Sequence, residues 1–451
     1  MFWTKPAFAF LNPDEVKKSS IYRENWRIPE NSLVYFKLVI HGVIGKLHGF
    51  GIQITNLFTN MSLRTVLLFL VGFLASLHIC SAEGPIRLGE NSTLGMSVGG
   101  AIQYNDNVFL DSVDEESDTI WVFSPGVELN FGQEPSNAHV KLLYVHDFIT
   151  YSDNSRLNRD TPDIKLDGLL KSIKSNIDFG LSYKENSQND ASNNLTGDLA
   201  TRNILRAHVN GEWSMTAKSS VTTGYSLEDV QYDDARFYDR ESYAIPVNYY
   251  WAVTPKLDAS VGYRYRNTSY DPDGVRIRQN PQAPGLYRPD TDDQFFNVGL
   301  RGALGAKTTG EIRVGVQERD FNTPGMKDED LLSVDARAVW QATEKSNLSV
   351  LFSRDFNADS FGTSIESSDI QVGGSTVLQE NLTGFASIRM SKDDYQGGRT
   401  DDGLYGQVGV TFTPSSNTAV SVAYVIYNND SDFIPADFDN SVFNISGTLR
   451  F

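Results

Sequence analysis

The chain has 451 residues, 57 of them acidic and 39 basic, and its net charge of −18 at pH 7 argues against nonspecific binding to nucleic acid. One cysteine excludes a disulfide scaffold or a cysteine-rich zinc module, and 12% aromatic residues exclude the profile of a disordered chain. Only one stretch is apolar enough for helical insertion, so a polytopic helical membrane protein is excluded too.

That stretch begins at Met61. Met61-Ser-Leu-Arg64 is a basic start, Thr65 to Ile79 is an apolar core, and Ala82 is a small residue at a cleavage point, so residues 61–82 read as a secretory signal peptide. Cys80 admits a second reading as a lipoprotein acceptor, against which His78 and Ile79 stand where such signals resemble Leu-Ala-Gly. Residues 1–60 carry seven basic and four acidic side chains with no clear period. They read as translation from a start codon upstream of Met61, or as a disordered extension. Removing the leader's 8 basic and 4 acidic residues leaves 31 and 53, so residues 83–451 carry −22.

From Leu94 onward almost every apolar stretch alternates at period two, the pattern of a strand with two different faces. Tyr243, Ile245, Val247, Tyr249, Trp251 and Val253 share one face, and Leu257, Ala259, Val261, Tyr263 and Tyr265 continue it after the tight turn Thr254-Pro-Lys256. Strands are expected near 94–104, 119–130, 137–150, 163–171, 176–184, 202–214, 219–229, 241–253, 257–268, 294–304, 309–319, 330–341, 346–356, 365–377, 381–391, 402–413, 417–428 and 441–451. The connections alternate between brief turns, such as 215–218 and 342–345, and long loops, such as 105–118, 185–201, 269–293 and 429–440. Eighteen strands with short turns on one rim and long loops on the other predict an all-β fold. It is a closed antiparallel transmembrane β-barrel over 83–451, with short periplasmic turns and long extracellular loops. Barrels of this size leave an aqueous channel. The acidic loop residues, including Asp106, Asp111, Asp114, Glu115, Glu116, Asp118, Asp430, Asp432, Asp437 and Asp439, are expected to face water.

Trp213-Ser-Met-Thr-Ala-Lys218, Trp251-Ala-Val-Thr-Pro-Lys256 and Trp340-Gln-Ala-Thr-Glu-Lys345 each set an indole at a strand end ahead of a Thr-x-Lys turn. Trp213, Trp251 and Trp340 are therefore expected at the lipid–water interface, where ring and N–H favour opposite sides. The chain ends in an alternating strand that includes Phe443, Ile445, Leu449 and Phe451. It resembles the C-terminal signature that bacterial outer-membrane barrels present to their assembly machinery.

Tyr104-Asn-Asp106-Asn-Val-Phe-Leu110-Asp, Ser124-Pro-Gly-Val-Glu-Leu129 and Leu142-Leu-Tyr144-Val-His-Asp-Phe148 resemble the start of the putative β-barrel porin 2 family, over roughly 90–451. The resemblance implies a Gram-negative outer-membrane barrel. Some members are encoded with exopolysaccharide systems, so lipid, the assembly machinery and polysaccharide export components are the partners it implies.

With bulky apolar residues facing lipid, Arg206, Arg264, Arg266, Arg301, Arg313 and Arg337 fall on the lumen face. Guanidinium groups along a wet wall would attract anionic solutes such as acidic sugars; Asp258, Glu311 and Asp335 share the face and would neutralise them. Two functions stay open: a pore for hydrophilic, anionic solutes or exopolysaccharide, and a structural or adhesive barrel with a closed lumen and partner-binding acidic loops. Catalysis finds little material. Gly95-Met-Ser97-Val-Gly99 matches a nucleophile elbow but lies within a strand, and His146-Asp147 point to opposite faces. Asp271-Pro-Asp273-Gly274 and the pairs Asp233-Asp234 and Asp401-Asp402 complete no twelve-residue calcium loop. No catalytic residue, cofactor or metal site is assigned.

Overall fold

A computed structural model describes residues 84–132, 137–191, 197–270, 290–322 and 326–451. The readings of 1–60, of the leader and of the Asp271–Gly274 turn lie outside the described residues. A two-residue ribbon, β1 (Ile86–Arg87), runs beside β2 (Ser92–Asn105). Then come β3 (Asp118–Phe131), β4 (Ala138–Tyr151), β5 (Arg159–Lys171), β6 (Ser175–Ser187), β7 (Thr201–Thr216), β8 (Ser219–Tyr232) and β9 (Arg240–Thr254). They are followed by β10 (Leu257–Tyr270), β11 (Thr291–Ala303), β12 (Thr308–Phe321), β13 (Glu329–Gln341) and β14 (Ser346–Ala358). The last five are β15 (Ser364–Gln379), β16 (Leu382–Tyr395), β17 (Thr400–Ser415), β18 (Thr418–Ser431) and β19 (Ser441–Arg450).

From β2 to β19 every strand pairs antiparallel with its chain neighbours, and β19 pairs back onto β2 from Val442↔Asn105 to Arg450↔Ser97. Phe451 N–H donates to Met96 O at 2.8 Å and Met96 N–H donates to Phe451 O at 3.2 Å. Eighteen strands therefore close without a free edge, as hydrocarbon requires of a sheet whose backbone groups it cannot solvate. Strands of 14 residues, at ~3.3 Å per residue and a ~45° tilt, rise roughly 33 Å, more than the ~25 Å apolar band of such a barrel.

Every strand expected from alternation is present. β5 begins earlier, at Arg159, because Pro162 does not end it: pairing with β6 starts only at Asp163↔Lys184, so no ladder bond is asked of the missing N–H on that side. Pro125 and Pro246 likewise fall in ladder gaps, between Phe123↔Phe148 and Gly126↔Val145, and between Thr223↔Val247 and Ser226↔Ala244.

The two faces separate as the alternation demands. On β9, Ile245, Val247, Tyr249, Trp251 and Val253 are exposed on the outside, whereas Asn248 and Tyr250 are buried on the inside. The short turns share one local device. Thr216, Thr254 and Thr343 accept hydrogen bonds through Oγ1 from the backbone N–H of Lys218, Lys256 and Lys345, at 3.1, 3.3 and 3.1 Å. Ser172 and Ser415 do the same for Lys174 and Asn417. A side-chain oxygen two residues ahead of the N–H it accepts tightens each reversal. Trp213, Trp251 and Trp340 stand exposed on the outer face beside these turns.

One ladder is incomplete. β12 pairs with β13 up to Arg319↔Glu329, and β14 pairs with β15 up to Ala358↔Ser364, but β13 and β14 pair only between Val334↔Arg354 and Gln341↔Asn347. At the long-loop end β14 parts from β13 and leans inward, while its hairpin partner β15 stays paired with β16 up to Ile365↔Tyr395. Elsewhere the wall is tight: a Cβ on Gly315 would sit 1.8 Å from Phe296 O on the neighbouring strand. Gly315→Val should therefore destabilise the barrel by about 1–3 kcal/mol, visible as a lower temperature for losing the folded, fast-migrating band on a gel.

Candidate functional site

The inner wall carries ion pairs in two tiers. Nearer the long-loop end, Glu228 accepts from Arg206 at 2.7 Å and from Arg240 at 2.8 Å. Beside it, Asp355 accepts from Arg264 at 2.8 Å and from Arg266 at 3.1 Å. Asp293 accepts from Arg266 at 2.7 Å and from both Arg319 nitrogens at 2.6 and 2.8 Å. These two networks hold five arginines and three carboxylates, one surplus positive charge each.

Nearer the short turns the balance reverses. Arg301 pairs with Glu212 and, at 3.1 Å, with Asp258, and its guanidinium lies 3.6 Å from the Tyr250 ring centroid. Arg313 pairs with Asp335 at 2.6 Å and faces Glu311 at 3.8 Å. Each of these networks has one carboxylate more than it has guanidiniums. Arg337 is exposed and has no carboxylate partner among the described residues. All six arginines read from the sequence thus lie on the inner face, five of them paired.

The in-turned hairpin forms the roof of the upper tier. Arg266 Nη2 donates to Phe356 O at 2.8 Å, Arg319 Nη1 to Asn357 O at 2.8 Å, and Arg240 Nη1 to Ala358 O at 3.4 Å. Three arginines from β10, β12 and β9 thereby donate to hairpin carbonyls that lie beyond the end of the β13–β14 ladder. Beneath the hairpin Asp293, Phe295, Gln317, Arg319, Leu331 and Ser333 are all buried. The hairpin tip reaches the β8–β9 loop, where Tyr238 N–H donates to Ser360 O at 2.9 Å and Phe237 meets Phe361 at 5.4 Å.

Described residues of the β2–β3 and β6–β7 loops also turn inward. Val108, Phe109 and Leu199 pack with Ile120, Tyr151 and Leu157 in a small apolar core inside the mouth. Asn107 Nδ2 donates to Asp111 O and Asp439 O at 2.8 and 2.9 Å, and Asn189 Nδ2 to Phe109 O at 2.8 Å. Arg202 and Asp190 form a buried pair at 3.3 Å, and Arg399 donates to Ala191 O at 2.9 Å. Asp114, Glu115 and Glu116 face water as expected, but Asp118 is buried, receiving the N–H groups of Ser152, Asp153 and Asn154, and Asp106 and Asp111 are half-buried. The signal missed in the sequence was the run Asn107-Val-Phe-Leu110: three apolar residues in an acidic loop need a core to enter. Leu110 adopts a left-handed backbone, φ 57°, costing roughly 1–2 kcal/mol that this packing offsets.

Burial, with Glu116 nearby, holds the Asp111 carboxyl above the usual range, and burial with Asp106 and Asp439 does the same for Glu115. Gly95-Met-Ser97-Val-Gly99 lies in β2, and His146 faces outward, hydrogen-bonded to Asp160 and Tyr144 at 3.0 Å each. Asp234 binds Arg236, and Asp401 is buried against Arg399 and Ser431. Among the described residues no group of three or more His, Cys, Asp or Glu is placed to hold a metal.

The family model described as putative beta-barrel porin 2 matches residues 86–451, the whole closed sheet. The chain belongs to this family. Its barrel therefore resides in the outer membrane, short turns in the periplasm and long loops at the surface. Among solved structures, it is similar to Pseudomonas aeruginosa OpdK with vanillate, at 11% identity over 79% of this chain and 99% of that one, TM-score 0.42. It is similar also to a BenF-like porin from Pseudomonas fluorescens Pf-5, at 11% identity over 80% and 99%, TM-score 0.43. Acinetobacter baumannii OccAB4 aligns at 9% identity over 81% and 99%, TM-score 0.42. No curated protein matches the chain.

Two outcomes follow for this porin-family mouth. Asp190→Ala removes the carboxylate from the buried Arg202 guanidinium, a loss of about 3–5 kcal/mol for a pair removed from one side, and should speed thermolysin cleavage of the β6–β7 loop at Leu199 while β-sheet content stays unchanged. Because Asp111 and Glu115 bind protons more tightly in the folded loop, its packing strengthens as pH falls through their raised values and weakens as pH rises above them. Hydrogen exchange corrected for intrinsic rates should show more protection of residues 107–111 at pH 5 than at pH 8.

Proposed function

We propose that the barrel passes small hydrophilic anions across the outer membrane and performs no chemistry of its own. The observation that carries this reading is a division of charge among the four networks: guanidiniums exceed carboxylates around Glu228, Asp355 and Asp293 towards the surface, and carboxylates exceed guanidiniums around Arg301 and Arg313 below. A surplus positive charge on a low-dielectric wall raises the local concentration of anions, and planar guanidinium forks suit carboxylates and phosphates. Acidic sugars are the cargo these groups fit. An exopolysaccharide chain is a larger cargo, and threading it would require the hairpin and inward loops to leave the mouth together.

The same inward loops favour a second reading, a structural barrel with a closed lumen whose exposed acidic residues bind partners at the surface. Trp213, Trp251 and Trp340 would anchor either barrel at the periplasmic interface. Phe443, Ile445, Leu449 and Phe451 would serve its assembly, with lipid and the assembly machinery as partners; polysaccharide export components join them only if a polymer is the cargo.

Single-channel recording in planar bilayers separates the two readings, since a sustained current belongs to the pore and silence to the closed barrel. The pore should show a reversal potential favouring anions. Arg264→Glu should move it towards cations by more than Arg313→Glu, whose network is already negative. An unchanged reversal potential in both variants would sink the arginine-based selectivity.

A further inference from the structure

Asp355 is the one carboxylate of the upper tier that does not belong to the wall beneath it. Its partners Arg264 and Arg266 lie on β10, four strands away, and it meets them only because β14 separates from β13 above Val334↔Arg354. In the wall, β13 occupies the ground between β12 and β14, and an aspartate side chain does not reach across that arc. The hairpin also delivers Phe356, whose ring lies under Arg319 with 4.7 Å from guanidinium carbon to centroid, while Phe295 of β11 lies under Arg264 at 5.0 Å. The result is a cluster with two guanidiniums aimed inward, an aromatic ring beside them, and one carboxylate inserted from a strand whose other edge has parted from β13.

A carboxylate held there is chemically what an incoming anion would offer. The outer faces of Arg264 and Arg266 remain accessible, with side-chain exposures of 25% and 20%, and Asp355 itself is 30% exposed. Arg319 and Asp293, at 3% and 2%, are sealed beneath as a permanent bidentate pair. Solvent thus reaches the exchangeable contacts and not the fixed one. We propose that Arg264 and Arg266 form a binding step for a carboxylate-bearing solute, and that Asp355 on the in-turned hairpin is a tethered competitor which the solute displaces. Displacement leaves Arg266 its second carboxylate, Asp293, and raises the surplus of the network from one positive charge to two, three guanidiniums against one carboxylate, which the carboxylate of the ligand then offsets. The proposal rests on the channel reading above.

The test uses the full barrel and sodium glucuronate as the probe, with calorimetry in detergent and reversal potentials in bilayers measured separately. Asp355→Asn should bind glucuronate at least tenfold more tightly than the parent and raise the glucuronate-to-sodium permeability ratio. Asp355→Glu, which keeps the competitor, should stay close to the parent. Adding Arg264→Gln and Arg266→Gln to Asp355→Asn should abolish the gain. Equal affinity in the parent and Asp355→Asn, or a gain that survives loss of both arginines, overturns the proposal. Bilayers silent for every variant would defeat the channel reading alone, because calorimetry still decides whether the site exists. Asp355→Ser replaces Asp355→Asn if the latter does not fold. Failure of both to fold would show a carboxylate the barrel cannot lose, which also overturns the idea.

Discussion

Hydrogen bonding of the backbone in a medium that offers no partners is the constraint on which this molecule depends. Closure of β19 onto β2 is the global answer, carried to the last residue by the paired bonds of Phe451 and Met96. The seam between β13 and β14 is the local exception, and it obeys the same rule by other means. Carbonyls at Phe356, Asn357 and Ala358, beyond the end of the β13–β14 ladder, receive arginine donors, and Ser333 Oγ donates to Arg354 O at 2.7 Å. A charged donor is a stronger partner than an amide in a dry setting, so β14 can part from β13 without orphaning its backbone. It does so at the surface end of the strand.

The arginines therefore serve two ends with the same atoms. Their guanidiniums satisfy backbone carbonyls and also set the sign of the constriction. Neutralisation along the wall is expected for groups this deeply placed, since an unpaired ion in low dielectric is costly. In the proposed pore, selectivity then comes from small residual charges, not from a bare ladder.

Much of the barrel was legible from alternation because the lipid face and the wet face sort side chains by one rule at every strand. Ile245 and Asn248 needed no tertiary knowledge to be placed on opposite sides. Thr-x-Lys turns were legible for the same reason, as the bond from Thr Oγ1 to the Lys N–H is local. The in-turned hairpin was not. Residues 346–379 alternate identically whether β14 lies against β13 or across the lumen, and the difference resides in partners such as Arg266 and Asp355, 89 residues apart. Inner arginines were placed correctly by face, but their pairing required knowing which strands approach through the lumen, and Arg264–Asp355 skips three of them. The loop core was partly legible. Asn107-Val-Phe-Leu110 announced burial, yet its acidic neighbours, which dominate the composition, pointed the other way.

Position along the axis explains why the movable parts lie where they do. Below the seam each strand is fixed by two neighbours through ladders broken only briefly, as at Pro125 and Pro246, so displacing one strand breaks many bonds at once. Above it β15 keeps its ladder to β16, and the open edge of β14 is held on the lumen side by a few long side chains, two of which have a second carboxylate: Asp293 for Arg266 and Glu228 for Arg240. Exchanging such contacts costs far less than unzipping a ladder, because bonds to water replace those lost. A barrel of rigid wall and side-chain-tethered roof can vary its mouth without opening its sheet to lipid. That separation allows one closed structure to be both permanent in the membrane and adjustable at its entrance.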